Sequence, residues 1–414
     1  MIPQSMGSET NIKLPFGFIL FSIVAIIASQ LLLLINGESL INGIFRIPPI
    51  WSAAHLFILG WALMIAMGAM YQLVPVAFLT PIWSQKFGFL QFAVTSIGIV
   101  WFAVTLYIAP QNALIPGMLM LSGILMFLFQ MGMTLRKQAK PNILTLFVGT
   151  ALACLLVTIL IGITLVVSMQ TGFAKEYYSA IFYSHLLLGT TGWFTLLIFG
   201  FSYKMAPMFS LAHGYSMKLA IFVYGFYVSG LVLMLLSFFL EQSFLLKSGL
   251  LLLFVGFSFF LWHVSEIIKK RVKKKLDRPF SFALLAIVFG EIIHLLAFIV
   301  AVTNQFGKYV APLMVAYLML WIAFSIMGYL YKIVPFLWWT HKYSNVIGKK
   351  DVPSLKDMIN ERVALPLFFS FIIGMLIISI SIVLHVSILF YIGQTLMTIV
   401  AIVFGYTIFA VMKK

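Results

Sequence analysis

The sequence predicts an all-α polytopic membrane protein of about twelve transmembrane helices, built as three four-helix repeats in a pseudo-threefold bundle with both termini cytoplasmic. Three observations predict it. Apolar residues make up 63% of the chain and charged residues only 9%, with a mean hydropathy of +1.12, far from a soluble globular composition. Uncharged apolar runs long enough to cross a bilayer recur along the whole length. One phrase is stated three times: Trp61, Gly68, Tyr71 and Pro75; Trp193, Gly200, Tyr203 and Pro207; Trp321, Gly328, Tyr331 and Pro335.

The apolar runs place helices at 14–36, 52–79, 87–108, 112–135, 143–168, 179–209, 216–240, 243–268, 279–303, 309–338, 363–386 and 388–412. The repeat units are then 14–135, 143–268 and 279–412 of a single transmembrane domain over 1–414, with the phrase on the second, sixth and tenth helices. Within the phrase, Trp, Gly and Pro are spaced by two helical turns each and share one face. A small residue there admits a neighbouring backbone, and the Pro weakens the last turn by its missing N–H. The first helix has no cleavage signature and is expected to stay as a span.

Orientation follows from the basic residues. With the N-terminus inside, only Arg46, Lys175, Lys247 and Lys308 of the 26 Lys and Arg lie outside, a strong positive-inside bias. The net charge of +16 is thus a topology signal, and the run from Lys269 to Lys275 suits anionic headgroups. No folded domain presents the charge to nucleic acid. The lone Cys154 excludes an intramolecular disulfide and a cysteine-cage metal site. The many Met residues offer soft sulfur for copper(I) or simple gap-filling.

Ionisable groups within the spans carry the candidate chemistry. His55 opens the second helix about one turn below the outer surface, and His185 stands in the outer half of the sixth. They do not align strictly, lying six and eight residues ahead of their Trp, and Met314 to Leu318 of the tenth helix holds no His. Each reads as a haem-iron or metal ligand or as an interhelical hydrogen-bonding residue. On the ninth helix Glu291 is the one acid deep in the membrane, and His294 follows on the same face. Glu291 reads as a proton-exchanging group, as a carboxylate orienting a His ligand, or as half of a neutral Glu–His pair joining two helices. His213, His263, His341 and His385 read as interfacial or solvent-exposed, and Lys204 and Lys332 as interfacial anchors.

These residues resemble subunit I of the haem–copper oxidases. The stretch from His55 through Gly60-Trp61 to Pro75 is most similar to the C-type oxidase and nitric-oxide reductase branch, and also to NnrS-like membrane proteins. The resemblance covers the whole chain in architecture and is specific around the second and sixth helices. It implies that His55 ligates a low-spin haem and that His185 matches a copper ligand; His294 is a further candidate for holding haem. The rest of the family pattern is missing. No His pair stands on the tenth helix, Met217–Leu240 holds no His, and Arg46 is the only outer arginine. The expected activity is therefore not that of a working terminal oxidase or reductase. The resemblance points instead to haem or copper handling, nitric-oxide response or assembly of a respiratory complex.

The expected cofactor is haem, with copper as a second metal. The expected partners are the lipid bilayer together with respiratory or haem-protein subunits or a second copy, in a bacterial-type cytoplasmic membrane. A secondary transporter coupled to protons through Glu291 is the competing expectation. A third is a scaffold of a respiratory complex that binds no ligand.

Overall fold

The computed structural model describes Thr10 to Lys414. The described residues contain twelve helices long and apolar enough to cross a membrane, and their only β-structure is two isolated bridges. We label them α1 (Lys13–Asn36), α2 (Pro48–Phe78), α3 (Gln85–Ile108), α4 (Leu114–Leu135), α5 (Ile143–Thr171) and α6 (Lys175–Ser210). The remaining six are α7 (Leu219–Leu240), α8 (Ser243–Lys269), α9 (Arg278–Val302), α10 (Phe306–Val346), α11 (Arg362–Leu384) and α12 (Ser387–Met412). The chain is an all-α polytopic membrane protein.

The ends of these helices follow local chemistry. Pro48 and Pro49 occupy the first turn of α2, where a missing N–H costs nothing and the fixed φ suits the helix. That start is four residues earlier than hydropathy alone suggests, because the prolines and Trp51 hold no charge to mark the boundary. Asn142 caps α5 through its side chain, accepting from the N–H groups of Leu144 and Thr145. The α-helical parts of α2 and α6 that carry the rest of the phrase both close on a leucine in the left-handed region, Leu79 at φ +52° and Leu211 at φ +56°. In each case the leucine comes one turn after the phrase proline. In α10 the helix runs on past Pro335 to Tyr343.

Each copy of the phrase begins on a widened turn. Leu56–Leu63, Leu188–Thr195 and Tyr317–Ala323 are π-helical, a local loosening to i→i+5 pairing that recurs at functional sites. In the second, Thr195 Oγ1 lies 3.3 Å from the carbonyl of Thr190, five residues earlier. Trp61, Trp193 and Trp321 lie within the three stretches and are all buried. The phrase glycines meet close neighbours: a Cβ on Gly68 would lie 2.8 Å from Phe18 Cβ, and one on Gly200 3.1 Å from Phe147 Cβ.

The chain divides into two compact units, Met1–Ala139 with Ile326–Lys414, and Lys140–Ser325. In the first unit, α1 packs on α2, α3 and α12, α3 pairs with α4, and α11 with α12. In the second, α5 packs on α6, α7 pairs with α8, and α9 packs on α8 and on the start of α10. The three antiparallel pairs share one device. A Cβ at Gly98 would meet the Met120 backbone at 2.7 Å, one at Gly230 the Gly249 carbonyl at 2.9 Å, and one at Gly393 the Gly374 carbonyl at 3.0 Å. Without side chains at these crossings the backbones come within van der Waals contact, the usual source of association where lipid removes the hydrophobic drive.

Candidate functional site

In the first unit, His55 stands about two helical turns after Pro48, deeper than the sequence suggests because α2 starts earlier. Its Nδ1 lies 2.7 Å from the Trp51 carbonyl of its own helix. A carbonyl can only accept, so Nδ1 carries the proton and Nε2 keeps its lone pair. The edge of Phe102 on α3 meets the half-buried ring at 5.3 Å between centroids. Ser52 and Leu56, on either side of His55 along the helix, line an open groove of about 410 Å³ with Ala25, Ala28, Ala103 and Tyr107, while His55 itself does not line it. Its walls make no polar demand, since Ser52 Oγ already donates to the Ala103 carbonyl at 2.8 Å. One phrase residue is left with an unmet need: the Trp61 indole N–H is buried and has no acceptor.

In the second unit, His185 also stands about two turns into the α-helical part of its span. Its Nδ1 faces the Thr158 carbonyl of α5 at 3.0 Å, tying α6 to α5. Here too the proton belongs on Nδ1, leaving Nε2 as the acceptor nitrogen. The ring fits against Gly162, whose replacement by any larger residue would put a carbon 3.0 Å from it. The Trp193 indole N–H, like that of Trp61, is buried without an acceptor.

Around His294 the second unit builds something different. Trp321 Nε1 donates to Thr195 Oγ1 at 2.9 Å, and Thr195 Oγ1 lies 2.5 Å from the Tyr317 hydroxyl. That hydroxyl lies 3.2 Å from the Tyr227 hydroxyl, which lies 3.2 Å from His294 Nε2, while His294 Nδ1 lies 2.7 Å from the Gly290 carbonyl. The carbonyl end fixes the direction near the histidine. A carbonyl can only accept, so neutral His294 donates from Nδ1 to Gly290, Tyr227 donates to Nε2, and Tyr317 donates to Tyr227. Thr195 accepts from Trp321, and its one proton has two acceptors within reach, the Tyr317 hydroxyl and the Thr190 carbonyl. All the side chains are buried, and Phe257 packs on the imidazole at 4.4 Å between centroids. Both nitrogens of His294 are engaged. The ring acts as a hydrogen-bonding member of this chain.

Glu291, three residues before His294 on α9, faces α8 instead. Its Oε1 accepts from Ser258 Oγ at 2.6 Å, and its Oε2 is buried without a partner. Glu291 and His294 thus turn to separate partners on other elements, Ser258 and Tyr227.

The three phrase tyrosines are buried and each hydroxyl finds a polar group: Tyr71 with Gln91 Oε1 at 3.0 Å, Tyr203 with His263 Nδ1 at 3.2 Å, and Tyr331 with Thr407 Oγ1 at 2.8 Å. His263 is a correction to the sequence reading. It is buried rather than interfacial, because the loop after α6 folds across the end of α8 and the Ser216 carbonyl takes its Nε2–H at 2.8 Å. His213, His341 and His385 are exposed as expected, and Lys204 and Lys332 are half-buried.

Among the described residues, no three of His, Cys, Asp and Glu come together in a way that could hold a metal ion by themselves. Sequence reasoning missed Thr195, Tyr227 and Tyr317. The available signal was a hydroxyl or phenol on an otherwise apolar span, which in lipid must find a partner. The sequence matches no protein-family model, and no curated protein matches it.

Proposed function

We propose that the chain is a haem-binding membrane protein of the oxidase subunit I type, with His55 as the axial ligand and without a complete binuclear centre. The observation that carries this reading is the His55 ring: its Nδ1–H is held on the Trp51 carbonyl, so Nε2 presents a lone pair. That is the arrangement seen in metal-bound imidazoles, where the second nitrogen is anchored to a carbonyl or carboxylate. The open apolar groove at its helix neighbours Ser52 and Leu56 suits the apolar face of haem, and the Trp61 indole N–H, deeper in the same helix, is a buried donor without an acceptor. When bound, haem iron supplies a site for a diatomic ligand such as nitric oxide, or for storing one electron.

The protein residues do the positioning. The Trp51 carbonyl sets the His55 tautomer, and Phe102 limits rotation of the ring. His185, with its Nδ1 on Thr158, is the second candidate ligand for haem or copper, and His294 is the weakest of the three because Tyr227 occupies its Nε2. Roles in haem or copper handling, nitric-oxide response or respiratory-complex assembly fit a ligand-holding protein of this kind. Purified protein from haem-supplied cells is expected to show a Soret band that His55→Ala removes and His294→Gln leaves. Absence of the band from the wild type would reject the reading.

A second reading rests on Glu291. A half-buried carboxyl with one oxygen on Ser258 and the other unpartnered suits a proton-exchanging group in a proton-coupled transporter. Solute counterflow in proteoliposomes that is lost in Glu291→Gln would move this reading to the front.

A further inference from the structure

We infer that the α8–α9 turn of the second unit, joined to the loop after α6, is a binding surface for anionic phospholipid headgroups. The two loops are fixed to each other. Val272 N donates to the Leu211 carbonyl at 3.2 Å, Lys273 N to the Ser210 carbonyl at 3.4 Å, and Lys270 Nζ to the Gly214 carbonyl at 2.6 Å. Ala212 and Arg271 form an antiparallel bridge. The surface is thus ordered before any partner arrives, which lowers the entropic cost of binding.

Its cations are not equivalent. Lys269 is paired with Glu266 at 2.6 Å and Lys273 with Asp277 at 2.8 Å. Lys274, Lys275 and Arg278 are exposed and, among the described residues, have no acidic partner within salt-bridge distance. Beside them stand two apolar side chains that the fold turns outward, Leu211 at 52% and Val272 at 69% exposure. Leu211 does so from a left-handed backbone, a conformation that costs a leucine about 1–2 kcal/mol elsewhere.

That pairing of features selects the partner. Unpaired cations alone would suit any polyanion, but exposed leucine and valine at the ends of α6, α8 and α9 sit where a bilayer meets water. Apolar side chains there enter the acyl boundary while lysine and arginine reach the phosphates above it. A soluble acidic protein or a nucleic acid offers no apolar layer to receive them.

The test uses the full chain. Native mass spectrometry from micelles containing equal phosphatidylglycerol and phosphatidylcholine is expected to show phosphatidylglycerol retained preferentially. Lys274→Gln, Lys275→Gln and Arg278→Gln are each expected to lower that preference roughly five-fold, about the worth of one basic residue at an anionic surface. Lys269→Gln and Lys273→Gln, whose charges are already paired, are expected to leave it nearly unchanged. Equal retention by the wild type and the K274Q/K275Q/R278Q variant would overturn the inference. In nanodiscs, Lys274 and Lys275 are expected to resist acetylation when phosphatidylglycerol is present and to react in phosphatidylcholine alone. Equal protection by inorganic phosphate in phosphatidylcholine nanodiscs would overturn the assignment to lipid.

Discussion

The surroundings of Trp61 and those of Trp321 start from the same phrase and the same π-helical turn, yet they end in opposite states. Trp321 donates to Thr195 and heads a chain of hydrogen bonds in which every member is satisfied. Trp61 is as deeply buried and has no acceptor, and His55, about two turns before it, keeps an uncommitted Nε2. The difference lies in two hydroxyls. α10 carries Tyr317 four residues ahead of its Trp, and α6 supplies Thr195, whereas Phe57 stands four residues ahead of Trp61 and packs on it at 5.0 Å. A site that meets its own polar needs has nothing left to offer a ligand. A site that leaves a donor and an acceptor unpaired costs stability until something fills it.

The strongest way to break this comparison is to open the closed side. Thr195→Val removes the acceptor of Trp321 and a partner of Tyr317 together. Leaving two buried polar groups unmatched is expected to cost about 3 kcal/mol, read as a lowered Tm in detergent. If Thr195→Val melts like the wild type, the chain is not the stabilising feature its geometry implies. Tyr227→Phe, which keeps the ring and removes one link, is expected to cost about 1–2 kcal/mol. Because the links are consecutive, the double variant with His294→Gln should fall short of the sum of the single effects.

The tryptophans give a sharper contrast. Trp321→Phe loses a hydrogen bond and Trp61→Phe in haem-free protein does not, so the first should cost about 1 kcal/mol more than the second. If haem addition raises the Tm of the wild type more than that of Trp61→Phe, the indole N–H contributes to binding. Equal shifts would remove Trp61 from the site while leaving His55 in question.

The smallest expected effect lies outside both regions and serves as a control. Asp357, in the loop before α11, accepts from Ser354 N at 2.9 Å and from Ser354 Oγ at 2.6 Å. The Ser354 hydroxyl, then its amide, hold the carboxyl below the usual carboxylate range. A lowered pKa stabilises the folded loop above the ordinary carboxylate range, and this is lost as pH falls through the lowered value. The protection of amides 354–358 from hydrogen exchange, taken relative to the intrinsic rate at each pH, should therefore fall on acidification in the wild type and lose that pH dependence in Asp357→Asn, with no change at either tryptophan.

The number and order of the spans were legible in the sequence because hydropathy over a bilayer-length window is a cumulative signal. The phrase was legible too, since Trp, Gly, Tyr and Pro recur at fixed spacing. Its π-helical start was not, because one extra residue in a turn leaves no mark on composition. His294 is legible from its cost in lipid, but its partner is not. Glu291 is nearer in sequence, while Tyr227 lies on another helix and can be found only once α7 and α9 are packed together. His263 was taken for a surface residue for a similar reason: the loop that covers it carries no apolar signal of its own.

The glycine contacts in α3–α4, α7–α8 and α11–α12 bear on how such a chain is made. Each joins two spans that are consecutive in the chain, so the partners are available as soon as the second one is synthesised. A crossing with no room for a methyl group has a single register, and a slip along either axis would drive side chain into backbone. Biosynthesis can therefore deliver these six spans to the bilayer as three finished hairpins, and the later search for long-range partners is left mainly to the other six.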